Sequence, residues 1–145
     1  MTRAEQAKHN FENGYNCAQA VACAFTDVFG MEEMAVKRIT IALGGGFGGT
    51  RYVCGAVMGA GTVLSWAMDG SNADNKKAIY AEAKGLADAF AEEFGSYICK
   101  ELLGGYSNPV PQERTAEYYK KRPCADCCYH AAELLEKRLI ELGLL

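Results

Sequence analysis

The sequence predicts an all-α, single-domain helical bundle, and three observations carry that prediction. Apolar residues recur at three- and four-residue spacing along most of the chain. Glycines stand where those runs stop, at Gly14, Gly30, Gly95 and Gly104. The one strand-like segment, Ile39-Thr40-Ile41, has no second strand to pair with. At 145 residues, half of them hydrophobic and 23% charged, the chain can bury a core as one domain, 1–145, without disulfide staples.

The spacing predicts about six to seven helices around a central Gly/Ala-rich one. The first, Ala4–Asn13, turns Ala4, Ala7 and Phe11 to one side. Asn16 is a fair N-cap for a second, Cys17 to about Phe29, whose apolar face gathers Cys17, Val21, Ala24, Phe25 and Val28. A third, Glu32–Leu43, places Val36, Ile39 and Leu43 inward and Lys37 and Arg38 toward water. The stretch Gly44–Gly61, GGGFGGTRYVCGAVMGAG, is rich in glycine and turns into a helix near Cys54. That central helix, Val53–Met68, carries Gly55/Gly59 and Ala56/Ala60 ridges that suit an internal neighbour or a homodimer partner equally. A polar turn capped by Asn72 or Asp74 leads to Lys76–Phe94, with Ile79, Ala83, Leu86 and Phe90 inward. A short helix, Ser96–Leu103, holds Cys99 late in its length. After the irregular Asn108–Pro111 comes a polar segment around Tyr118-Tyr119. Pro123 then starts a last helix to about Leu142.

The bulk numbers exclude more than they assign. A net charge of −3 and no Lys/Arg run argue against a nucleic-acid partner. The longest uncharged stretch, Tyr52–Met68, suits a buried helix better than a membrane span. No apolar leader is visible at the start, so a cytoplasmic setting is expected. Seven cysteines in that setting point to reduced thiols used for redox work or metals.

Three of those cysteines recur in one context. Cys17 follows an Asn suited to capping, Cys54 follows the glycine loop, and Cys124 follows a Pro suited to the first helical position. Each is expected in the first turn of its helix, where free N–H groups and the macrodipole favour an anion. Such a place lowers a thiol from its usual ~8.5 by one to several units. Cys54 has the most support, with glycine amides on both sides and Arg51 close by. Cys99 is expected where the dipole opposes a thiolate, so it reads as a resolving thiol or metal ligand. Cys23 reads as core. Cys124-Ala-Asp-Cys127 has dithiol C-x-x-C spacing, and Cys128-Tyr-His130 offers a base. The literal Gly44-x-Gly46-x-x-Gly49 match to a dinucleotide loop fails for want of any βαβ unit.

With those residues in view, the chain resembles the family of redox-active proteins called C_GCAxxG_C_C. The matching pieces are Phe11-x-x-Gly-Tyr-Asn-Cys17-Ala-Gln-Ala-Val, Cys54-Gly-Ala-Val-Met-Gly59-Ala, Cys99-x-x-Leu-Leu-Gly104, and Cys124 seven residues before Ala131-Ala-Glu. This chain reads Cys-Gly-Ala where the family's label reads Gly-Cys-Ala. The resemblance implies that Cys17, Cys54, Cys99 and Cys124 are the family's four cysteines, and it implies redox work without naming a substrate.

Two functions follow as expectations. The first is thiol/disulfide exchange or electron transfer, with Cys54 attacking, one of Cys17, Cys99 or Cys124 resolving, and a redox partner protein or small thiol/disulfide as partner. The second uses Cys17, Cys54, Cys99 and Cys124 as ligands of an iron–sulfur cluster or Zn²⁺. An alkylhydroperoxidase-D-like site ranks below both: the histidine follows Cys127 by three residues rather than four, and Gln112 stands where that site needs Glu.

Overall fold

The computed structural model describes all residues from Met1 to Leu145. Thr2 opens α1 (Arg3–Glu12) through a reciprocal capping box with Glu5, and Ala4, Ala7 and Phe11 lie on the buried side. Asn16 opens α2 (Cys17–Ala22) with a second capping box, made with Gln19. The run expected as one helix to Phe29 is divided. A 3-10 turn, Cys23–Phe25, separates α2 from α3 (Thr26–Phe29). Phe25 sits at φ −127° and ψ 29°, outside the helical region, with its ring fully buried. Burying that ring outweighs an unbroken backbone.

The next helix, α4 (Glu33–Thr40), also runs into a 3-10 turn, Ile41–Leu43. Its inward stripe differs from the predicted one: Val36 and Thr40 are buried, whereas Ile39 is exposed. The Thr40 hydroxyl donates to the Val36 carbonyl at 2.7 Å, which satisfies a polar side chain inside the core. After the single turn α5 (Gly44–Phe47) come α6 (Gly55–Ala67), α7 (Lys76–Phe94), α8 (Cys99–Leu102), α9 (Ala116–Lys121) and α10 (Cys124–Glu141). Seven of these helices have six residues or more. The chain is all-α, with one isolated antiparallel bridge, Val53 to Ile98. No helix is long and apolar enough to cross a membrane.

Helix α6 is the centre: α2, α7 and α10 pack on it, and α1 lies along α10 and α2. Its buried face runs Gly55, Ala56, Val57, Gly59, Ala60, Val63 and Leu64. The small-residue ridge is filled from within the chain. A Cβ at Gly59 would stand 2.6 Å from the Ala18 carbonyl oxygen of α2, so the two backbones touch only because no side chain intervenes. Gly59→Ala is therefore expected to lower stability by about 1–3 kcal/mol, read from the denaturant midpoint. An unchanged midpoint would mean the helices separate at no cost.

Candidate functional site

Two local devices bring the thiols together. In the glycine loop, Gly46 has φ +64°, and a Cβ there would lie 2.7 Å from the Arg51 backbone. The loop can thus fold back on itself, with the Arg51 and Tyr52 amides donating to the Gly45 and Gly46 carbonyls at 3.0 Å each. The second device is the short pairing of residues 51–54 with 97–100. The Cys54 amide donates to Tyr97 (2.8 Å) and the Lys100 amide to Arg51 (3.0 Å). That pairing sets Cys99 beside the start of α6, although 44 residues of chain, including all of α7, separate Cys54 from Cys99.

Cys17 and Cys124 are the first residues of α2 and α10, and Cys54 is the N-cap of α6. Cys99 is the first residue of α8, not a late one as expected; α8 begins only at Ile98–Cys99 because the preceding residues are held extended by the bridge. Cys17, Cys54, Cys99 and Cys124 line one cavity of about 360 Å³, and Cys127 joins them there. Cys128 is fully buried just behind, its thiol donating to the Cys17 carbonyl at 3.8 Å. Cys23 lies apart, its thiol directed at the Glu33 carbonyl at 4.0 Å, and burial pushes it up to about 11.

Helix position alone does not set the thiol acidities. Cys54 is the one cysteine held below its ordinary value. The Cys127 thiol in hydrogen-bond contact pulls it down first, burial opposes, and the amides of Ala56 and Val57 pull it down further. The neutral Cys54 side chain makes no formed capping hydrogen bond, so these amides act as a field on the anion. They are the first-turn amides of α6; the loop amides of Gly48, Thr50, Arg51 and Tyr52 are spent on internal carbonyls.

For Cys17 and Cys124 the expected lowering is reversed. The contact with Cys124 draws Cys17 down, but the contact with Cys128, burial and the nearby Cys54 raise it well above the ordinary value. Cys124 is raised by its contact with Cys17 and by burial, which Arg122 only partly offsets. Cys127, the donor to Cys54, is raised by that contact and by burial. Crowded thiols cannot all ionise, and one anion suppresses its neighbours. Burial also raises Cys99, against a hydrogen bond from Arg51 Nη1 at 3.7 Å.

Several lining residues had no sequence signal. The segment Pro109–Arg114 closes one side of the cavity, and Arg114, Tyr118 and Arg122 line it with Arg51. Arg114 is anchored by donating to the Phe11 and Tyr15 carbonyls at 3.1 Å and stands 4.4 Å over the Phe11 ring. Cys127 enters the sequence reading only as the second thiol of the Cys124–Cys127 C-x-x-C spacing. Its place was readable from period: Cys124, Cys127, Cys128, Ala131, Ala132 and Leu135 follow one helix face. As for the metal reading, no three His, Cys, Asp or Glu side chains are arranged to hold an ion.

A family model described as "Putative redox-active protein (C_GCAxxG_C_C)" matches residues 15–138. No curated protein and no solved structure matches the chain.

Proposed function

From the premise that this chain belongs to the C_GCAxxG_C_C family, matched over residues 15–138, we propose that it is a dithiol–disulfide exchange protein with Cys54 as attacking thiolate and Cys127, rather than Cys17, Cys99 or Cys124, as resolving thiol. The observation that supports this most is geometric: Cys54, the N-cap of α6, and Cys127, in the first turn of α10, are buried and line the same cavity. The first-turn amides of α6 and the neighbouring Cys127 thiol both favour the Cys54 anion. The thiolate is the nucleophile in exchange, so acidity selects the attacker and contact selects the resolver.

The steps balance without another reagent. Cys54 thiolate attacks one sulfur of a disulfide RSSR, forming Cys54–S–S–R and releasing RS⁻. While Cys54 was an anion, its contact held the Cys127 thiol up. The mixed disulfide removes that charge, so Cys127 becomes easier to ionise. Its proton passes to the released RS⁻; its sulfur attacks Cys54 Sγ and expels the second RS⁻. Two protein thiols are oxidised and one disulfide is reduced. The reverse sequence returns the dithiol when a redox partner protein or a small thiol donates the electrons.

The deciding experiment is disulfide mapping by mass spectrometry after mild oxidation with bis(2-hydroxyethyl) disulfide. The expected product is a Cys54–Cys127 bridge, and Cys127→Ser is expected to accumulate the mixed disulfide at Cys54. A product bridged only between Cys17 and Cys124, with Cys54 unmodified, would overturn the assignment.

A further inference from the structure

The charge around the cavity runs against that of the whole chain. Net charge is −3, yet the cavity is lined by Arg51, Arg114 and Arg122 and by no Asp or Glu. None of the three guanidiniums has a carboxylate within ion-pair distance; the salt bridges of the molecule involve Arg3, Lys8, Lys84, Lys121, His130 and Arg138 instead. On the same segment Glu117 is taken by Lys121 at 2.9 Å, and Glu113, beside Arg114 in the chain, is exposed. Arg51 is only 8% exposed, held by a bond from its Nε to the Asn108 carbonyl at 3.1 Å and packed over the Tyr106 ring. Arg122 also stacks on Tyr106 and Tyr118, at 4.6 and 5.0 Å. Neutral carbonyls and rings orient these cations without cancelling them. A buried guanidinium without a counter-ion is costly, and an anion that enters removes that cost.

Size narrows the choice further. Cys54 is 5% exposed at the floor of about 360 Å³, which sits at the small end of ligand cavities. A broad, flat surface cannot reach such a sulfur, but a slim molecule or the protruding thiol of a partner can. We propose that the substrate of this site is a small disulfide whose arms end in anionic groups, carboxylate or phosphate, held by Arg51, Arg114 and Arg122 while its S–S bond meets Cys54. This rests on the exchange reading above and adds the substrate class. The covalent steps are those already given, with R an anionic arm.

The test compares three aliphatic disulfides of similar length and different charge: 3,3′-dithiodipropionate, bis(2-hydroxyethyl) disulfide and cystamine. In free solution a thiolate reacts slowest with the anionic one, because like charges repel. Here the order is expected to invert, with dithiodipropionate about tenfold or more ahead of the neutral compound and cystamine last. Added salt should compress the spread. Arg122→Gln, at a half-exposed position, is expected to cut the anionic-to-neutral rate ratio about tenfold, while Arg122→Lys keeps most of it. A neutral disulfide reacting as fast as the anionic one overturns the substrate class and leaves exchange standing. Should no disulfide oxidise the protein, exchange itself fails, and calorimetric titration with suberate, the sulfur-free isostere of dithiodipropionate, decides the anion site separately. Suberate binding that is lost in Arg122→Gln supports it; absence of binding at about 10 mM, which means a dissociation constant well above 1 mM, overturns it.

Discussion

Cys54→Ser is expected to slow reaction with a neutral disulfide such as 4,4′-dithiodipyridine by about 100-fold or more at pH 7. The magnitude follows from how acidity is distributed over the seven thiols. Every pKa unit changes the thiolate fraction tenfold. Cys54 lies below the ordinary value, while Cys17, Cys23, Cys99, Cys124, Cys127 and Cys128 all lie above it. Cys54 is therefore the thiol that ionises first, and losing it removes the most readily formed thiolate of the site. The pH dependence carries the same signature. The wild-type rate should be level above the Cys54 pKa and fall tenfold per unit below it. In Cys127→Ala the neighbouring thiol that favours the Cys54 anion is gone, so the midpoint of that profile should move to higher pH, toward the ordinary thiol value. A Cys54→Ser protein that reacts as fast as wild type would remove Cys54 as the attacking group.

Stability should drop steeply on the alkaline side, and the direction follows from proton linkage. In the unfolded chain a cysteine ionises near pH ~8.5. The folded-state values of Cys127 and Cys128 are raised, by the contact with Cys54 for the first and by burial for the second. These two thiols keep their protons when the unfolded chain has lost them. Their contribution is complete below the unfolded pKa and is lost as pH rises above it. Both are at most 1% exposed, and each removes up to about 1.4 kcal/mol per pH unit. Cys17, Cys99 and Cys124 are half-buried and act in the same direction with less weight, since solvent screens them. Cys23 stops contributing near its folded value of about 11. Cys54 acts oppositely: its stabilisation is present above the unfolded pKa and lost as pH falls through its lowered folded value. Against a typical total of about 5–15 kcal/mol, two units above pH 8.5 removes a large share. Denaturant midpoints at pH 7.5, 8.5, 9.5 and 10.5, under reducing and oxygen-free conditions, check this. A midpoint unchanged across that range would mean that the buried thiols ionise freely in the folded protein.

Periodic segments were legible before any coordinates. Lys76–Phe94 runs between the residues its pattern predicts, with Gly95 at φ +84° ending it. Asn16, Asn72 and the turn glycines did what their local chemistry dictates, because caps and left-handed turns depend on a few neighbours only. Where packing overrode local preference the reading slipped. Phe25 buries its ring at the expense of a continuous helix, Thr40 takes the core position predicted for Ile39, and the bridge at Val53 and Ile98 moves Cys99 to a helix start. None of these depends on residues close in sequence.

By itself, then, the sequence determined the helical class, the glycine punctuation and the placement of Cys17, Cys54 and Cys124 at helix starts, since each is a local matter of period and capping. Only the tertiary structure decided which sulfurs share a cavity, and that Cys127, 73 positions along the chain from Cys54, lines it beside Cys54. It also decided that three arginines from separate segments surround one cavity. The reason is physical: thiol acidity depends on burial and on charges a few ångströms away, and those neighbours are set by how α2, α6 and α10 pack.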